Sequence, residues 1–91
     1  MFDWDDENRA HIARHGISPE EAEQVLANDP LDGGVQDYEG EDRFVEIGMT
    51  DAMRLLVVIT TARGELTRVV TAFPAPPAAR RFYQTRKERD K

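Results

Sequence analysis

The chain reads as one small α+β domain in the order ααββββα: two N-terminal helices and a C-terminal helix packed on a four-stranded, mainly antiparallel sheet. Three observations predict this. Two helix starts with capping signals fall within the first 30 residues. Four β-rich runs with short connections follow, which favours an antiparallel meander. Pro74, Pro76 and Pro77 then end the strands and open the way to a last helix.

The first helix is expected over about Asp5–Arg14. Asp5 can cap the free amides, and Asp6 and Glu7 suit the positive end of the helix dipole. Trp4, Asn8, His11, Ile12 and His15 share one side at helical spacing, and Gly16 is placed to terminate the helix. The second helix begins at Ser18. Pro19 fills its first turn, Glu21 completes a capping box, and Ala22, Val25 and Leu26 form an apolar stripe. Asn28-Asp29-Pro30 ends it.

Leu31–Tyr38 is the weakest strand, because Gly33-Gly34 invites a bulge. Arg43–Met49 alternates, with Val45, Ile47 and Met49 facing one way and Phe44, Glu46 and Gly48 the other. Arg54–Thr61 is nearly continuous in apolar and β-branched residues, as a central strand would be. Ala62-Arg63-Gly64 reads as a hairpin turn, and Leu66–Phe73 as the last strand. The final helix is expected to open at Pro77 and run through Tyr83. Gln84–Lys91 offers no apolar residue to dock and is expected to fray, which makes residues 1–83 the domain and 84–91 a charged tail. All helices are expected on one face of the sheet.

Cysteine is absent, which excludes disulfides and thiolate metal sites and fits a cytoplasmic location. No basic segment followed by an apolar run opens the chain, and Leu55–Ile59 is too short to span a bilayer, so neither a signal peptide nor a membrane partner is expected. The net charge of −6 is divided unevenly. Residues 1–51 hold 15 acidic residues against 3 arginines, a net −12; residues 52–91 hold 9 basic residues against 3 acidic ones, a net +6. Two surfaces are one reading, a basic one for RNA and an acidic one for another partner; the other is solvated charge that merely segregates along the chain.

His11 and His15 stand at a spacing that can chelate, yet no H-E-x-x-H signature surrounds them, and no Gly-rich phosphate loop is present. No metal site and no cofactor are expected. Were the basic half to meet RNA, cleavage would need neither when the ribose 2′-hydroxyl is the nucleophile. The protein must then help remove a proton, stabilise the phosphorane and protonate the leaving oxygen. Arginine suits the middle task, and histidine or tyrosine the proton transfers. The residue types available are Arg43, Arg54, Arg63, Arg68, Arg80, Arg81, His15 and Tyr83.

Phe2-Asp3-Trp4-Asp5, Asn8 and His15-Gly16-Ile17-Ser18-x-x-Glu21-Ala22, read with the strands that follow, resemble the BrnT family over roughly residues 2–83. Members of that family are small bacterial toxins of type II toxin–antitoxin pairs, with a RelE-like fold and ribonuclease activity. Arg14-His15-Gly16 matches the family's [KR]-H-G, and Arg68-Val69-Val70-Thr71-Ala72 looks like its R-[IV]-[IV]-[ST]-A strand. Phe73 stands where that pattern usually carries a second arginine, and Ala79 where glutamate is common.

The resemblance implies a metal-independent RNA endonuclease that inhibits translation. It also implies a cognate antitoxin, typically a BrnA-like ribbon-helix-helix protein, with DNA contacted only through that antitoxin. The catalytic candidates are Arg68, Arg43, Arg80, His15 and Tyr83, joined by Thr71 because Val69-Val70-Thr71-Ala72-Phe73-Pro74 also resembles the last strand of other small bacterial RNase toxins; those for RNA binding are Arg54, Arg63, Arg81 and Phe73. Five of these have a structural alternative. Arg68 can lay its stem over the core, Arg43 can pair with Glu41 or Asp42, His15 can complement a helix C-terminus, Thr71 can be an ordinary strand residue, and Tyr83 can pack on the sheet. Phe73 cannot neutralise phosphate but can stack a base. A rival function is a catalytically degenerate RelE-like interaction module that binds an antitoxin or another protein. The two differ in whether Arg43, Arg68 and one of Arg80 or Arg81 converge on one exposed concavity.

Overall fold

A computed structural model describes residues 1–89. The chain forms α1 (Asp6–Ala13), α2 (Pro19–Ala27), β1 (Leu31–Tyr38), β2 (Glu41–Met49), β3 (Leu55–Arg63), β4 (Leu66–Pro74) and α3 (Pro77–Arg89). The strands lie in sequence order β1-β2-β3-β4, and each neighbouring pair is antiparallel.

Local chemistry sets both early helices. The Asp5 carboxylate accepts from the Asn8 amide at 3.0 Å, while Asn8 Oδ1 accepts from the Asp5 amide at 2.8 Å. This is a capping box with asparagine in the role of glutamate. Gly16, at φ +75°, turns the chain out of α1. Ser18 and Glu21 form the expected box at α2. Gly48 of β2 lets the end of α2 approach closely, since a Cβ there would meet Pro30 Cβ at 3.1 Å.

Two bulges shape the sheet. The β1–β2 register shifts between Asp32 and Gly34, as the paired glycines foretell. A second shift lies in β4, where Ile59 pairs with Thr71 and Thr60 with Val69, leaving Val70 without a partner. The outer edge of β4 is covered at its start by the N-terminus. Phe2 bridges Thr67 in parallel, the Asp3 amide donates to Thr67 O, and the Thr67 amide donates to Met1 O.

The helices lie on both faces of the sheet, not on one. Ile12, Ile17, Ala22 and Val25 of the α1–α2 segment pack on Leu56, Val58, Val69 and Ala72. On the opposite face, Ala79, Phe82 and Tyr83 of α3 pack around Ile47, Leu55, Val57 and Ala75. The cause is β3. Four consecutive residues, Leu55–Val58, are each at most 5% exposed, so both faces of this strand require cover.

Two further boundaries depart from expectation. Ala62 and Arg63 belong to β3, and the turn is Gly64-Glu65, between the paired Arg63 and Leu66. Gly64 at φ +60° supplies the left-handed residue that such a two-residue hairpin loop requires. The final helix continues past Tyr83 to Arg89 instead of fraying at Gln84. Arg86 lies over the Phe82 ring and Lys87 over the Tyr83 ring, both at 5.6 Å, so the long stems find apolar surface on their own helix. The last two residues of the expected tail lie outside the described residues.

Candidate functional site: an arginine-lined concavity

Beyond the reach of α3, the hairpin end of the sheet carries arginines instead of apolar residues. Arg43 continues the alternation of Val45, Ile47 and Met49 on β2. Arg68 pairs with Thr61, one step beyond the Phe44–Thr60 pair, so Arg43, Thr61 and Arg68 lie side by side across three strands. Arg63 stands two residues further along β3, on the same face. α1 forms the wall. Glu7, Asn8 and His11, with Arg43, Arg63, Arg68 and Val70, enclose a concavity of about 200 Å³.

Each guanidinium is already held by carboxylate. Arg68 forks onto Asp5, at 2.9 and 3.3 Å, and lies 3.5 Å from Asp3 and 3.7 Å from Glu7. Its side chain is 13% exposed, the most enclosed of the ion-paired cations among the described residues. The Arg68 hydrogen bond, helped by the Asn8 amide, holds the Asp5 carboxyl below its ordinary range; Asp5 in turn raises Arg68. Arg43 and Arg63 share one carboxylate, with Arg43 Nε at 3.2 Å and Arg63 at 2.8 Å from Glu41. Burial pulls Glu41 upward, but the hydrogen bonds from Arg63 and Arg43 outweigh it and hold its carboxyl below the usual value. The Arg43 guanidinium also sits 4.0 Å from the centre of the Tyr38 ring.

The register of this wall rests on Asn8. Its Nδ2 donates to Val69 O at 3.1 Å and to Asp3 O at 2.9 Å. A buried side chain on α1 is thereby fixed to β4 next to Arg68 and Val70.

Other candidates lie elsewhere. Arg54 binds Glu21 at 2.7 Å and the Gly16 carbonyl at 3.2 Å, staples the α1–α2 turn to the start of β3, and is not in the concavity. Arg80 and Arg81 are exposed on α3 and do not line it, so the third arginine of the cluster is Arg63. His15 lies beyond the concavity, with its ring 5.8 Å from His11 and 6.1 Å from Phe73. Phe73 and Tyr83 pack against the α3-side core. Thr71 pairs with Ile59 on the far side of the Val70 bulge. His11 and Glu7 went unnamed as site residues. Their signal was available in the i, i+4 spacing, which places both on one face of α1. Among the described residues, no group of three or more histidine, aspartate or glutamate side chains could hold a metal ion, and no helix is long and apolar enough to cross a membrane.

Residues 4–77 match the family model described as "Ribonuclease toxin, BrnT, of type II toxin-antitoxin system". The chain belongs to the BrnT family. A comparison with curated proteins returned no match. The BrnT match takes in α1, α2 and the whole sheet, hence every residue lining the concavity. BrnT proteins are ribonuclease toxins, and a type II system implies an antitoxin as partner.

Proposed function

We propose that this BrnT chain is a cytoplasmic, metal-independent RNA endonuclease whose Arg43–Arg63–Arg68 concavity receives the scissile phosphate, that its cleavage inhibits translation, and that a cognate BrnA-like antitoxin neutralises it. The observation that carries the reading is the convergence of three arginines from three strands beside α1. A phosphodiester carries one negative charge and the phosphorane formed by 2′-hydroxyl attack carries two. Arginines that exchange carboxylate partners for phosphate oxygens therefore gain more in the transition state than in the ground state, which is what lowers a barrier. Displacing the carboxylates is eased where they face water, because solvent takes up the released charge. Asp5 and Glu7 are such groups, with side chains 52% and 89% exposed.

The same carboxylates favour a second reading. If Asp3, Asp5, Glu7 and Glu41 hold the arginines permanently, the chain is a binding module for its antitoxin and no more. The test is cleavage of a single-stranded RNA by purified protein in excess EDTA, comparing wild type with Arg68→Ala. Cleavage by wild type to 2′,3′-cyclic phosphate and 5′-hydroxyl ends, falling about 100-fold or more in the variant, supports the nuclease. Absence of cleavage at confirmed folding, with antitoxin binding retained, establishes the module. In cells, induced expression should arrest growth, and antitoxin or Arg68→Ala should relieve it.

A further inference from the structure

A nuclease that uses the 2′-hydroxyl needs a group able to accept its proton near neutral pH. We propose that His11 is that group: it is the general base of the arginine concavity, and its substrate is the 2′-hydroxyl of a single-stranded ribonucleotide whose phosphate lies on Arg43, Arg63 and Arg68. The inference rests on the nuclease reading above and names a catalytic residue within the same site.

Of the lining residues, Asn8 and Val70 do not titrate and the three arginines keep their protons at any physiological pH. The Glu7 carboxylate is turned to Arg68, 3.7 Å away. Imidazole alone exchanges a proton between pH 5 and 8. His15, its neighbour at 5.8 Å, stands outside the concavity against Phe73, and Tyr83 is committed to the α3-side core. The helix that carries His11 is fixed. His11 lies three residues along α1 from Asn8, whose bond to Val69 O locks this helix against β4, the strand that carries Arg68. Preorganisation of that kind is what a proton acceptor requires.

The charged groups that share the concavity with the ring are Glu7 on α1, Arg68 on β4, Arg63 on β3 and Arg43 on β2, and the His15 ring lies 5.8 Å away. Neutral imidazole is the active form. It takes the proton of the 2′-hydroxyl as the O2′–P bond forms. The P–O5′ bond breaks, the departing 5′-oxygen takes a proton from solvent water, and the imidazolium returns its proton to solvent. The products are a 2′,3′-cyclic phosphate and a 5′-hydroxyl, with no net change in protons.

The experiment is a pH–rate profile on a short single-stranded RNA for wild type, His11→Ala, His11→Asn and His15→Ala, with thermal melting as a fold control. The expected result is an acidic limb in wild type, lost in both His11 variants. Their kcat should fall about 10²–10⁴-fold with KM little changed, His11→Ala should be partly restored by added imidazole, and His15→Ala should keep the limb. Retention of the limb and of kcat in folded His11→Ala would overturn the assignment while leaving the nuclease intact. A transfer of the loss to His15→Ala would do the same. No cleavage by wild type would overturn both the nuclease and the role of His11.

Discussion

Asn8 is the side chain on which both the fold of the N-terminal segment and the geometry of the concavity depend. It is 2% exposed, and its amide group satisfies three backbone groups: the Asp5 N–H at 2.8 Å, the Asp3 carbonyl at 2.9 Å and the Val69 carbonyl at 3.1 Å. Asn8→Ala removes all three bonds. The Val69 carbonyl lies in a buried contact and loses its partner without replacement by water, a loss of about 1–3 kcal/mol; Asp5 and Asp3 are nearer solvent and lose about 0.5–1 kcal/mol each. The expected destabilisation is about 2–5 kcal/mol, a large fraction of the roughly 5–15 kcal/mol typical of a domain. Urea titration at neutral pH should show a lower midpoint at unchanged slope, and the melting temperature should fall by about 10–40 °C. Asn8→Asp should cost more, because a carboxylate would face two carbonyl oxygens. Activity should drop even in the folded fraction, since α1 is no longer pinned beside Arg68. A loss below about 0.5 kcal/mol, or Asn8→Asp behaving as wild type, would refute the account of Asn8 as the anchor.

Three other outcomes are expected. RNA affinity should fall with salt at a log–log slope of about −0.7, one phosphate neutralised on a single strand, and Arg43→Ala should weaken binding in a fluorescence-anisotropy titration. Acid should destabilise the fold. Asp5, through Arg68, and Glu41, where hydrogen bonds outweigh burial, titrate below their ordinary values of 3.8 and 4.5, so their stability is present above those values and is lost as pH falls through the lower, folded ones. The urea midpoint should therefore drop below about pH 4, and less so in Arg68→Ala. Glu46 has the opposite sign: burial, then Asp32 across the strand pair, raises its pKa above 4.5, so its favourable contribution exists at low pH and disappears as pH rises. Glu46→Gln should stabilise the protein at pH 7 and have no benefit below about pH 4, by the same urea assay.

Sequence by itself determined the features decided within a few residues. The Asp5 and Ser18 caps, the Gly16 terminator and the bulge at Gly33-Gly34 involve groups too close along the chain for the rest of the molecule to overrule. The alternation of Val45, Ile47 and Met49 gave the orientation of β2, and the motifs around Trp4, His15 and Arg68 gave the family. The opposite charge of the two halves was also visible, but not its meaning. In the folded chain the halves meet: Arg68 with Asp3, Asp5 and Glu7, Arg54 with Glu21, Arg63 with Glu41. A segregation along the sequence becomes pairing in space.

Tertiary structure alone decided which arginines stand together. Arg63 joins the cluster because the turn closes at Gly64-Glu65 and leaves it on β3, whereas Arg80 and Arg81 leave it because α3 turns back over Leu55 and Val57. His11 enters because an asparagine on α1 bonds to a carbonyl 61 residues away. These outcomes depend on strand register and on which face of the sheet each helix covers. Both are set by burial and pairing between segments distant in sequence, to which local pattern is blind.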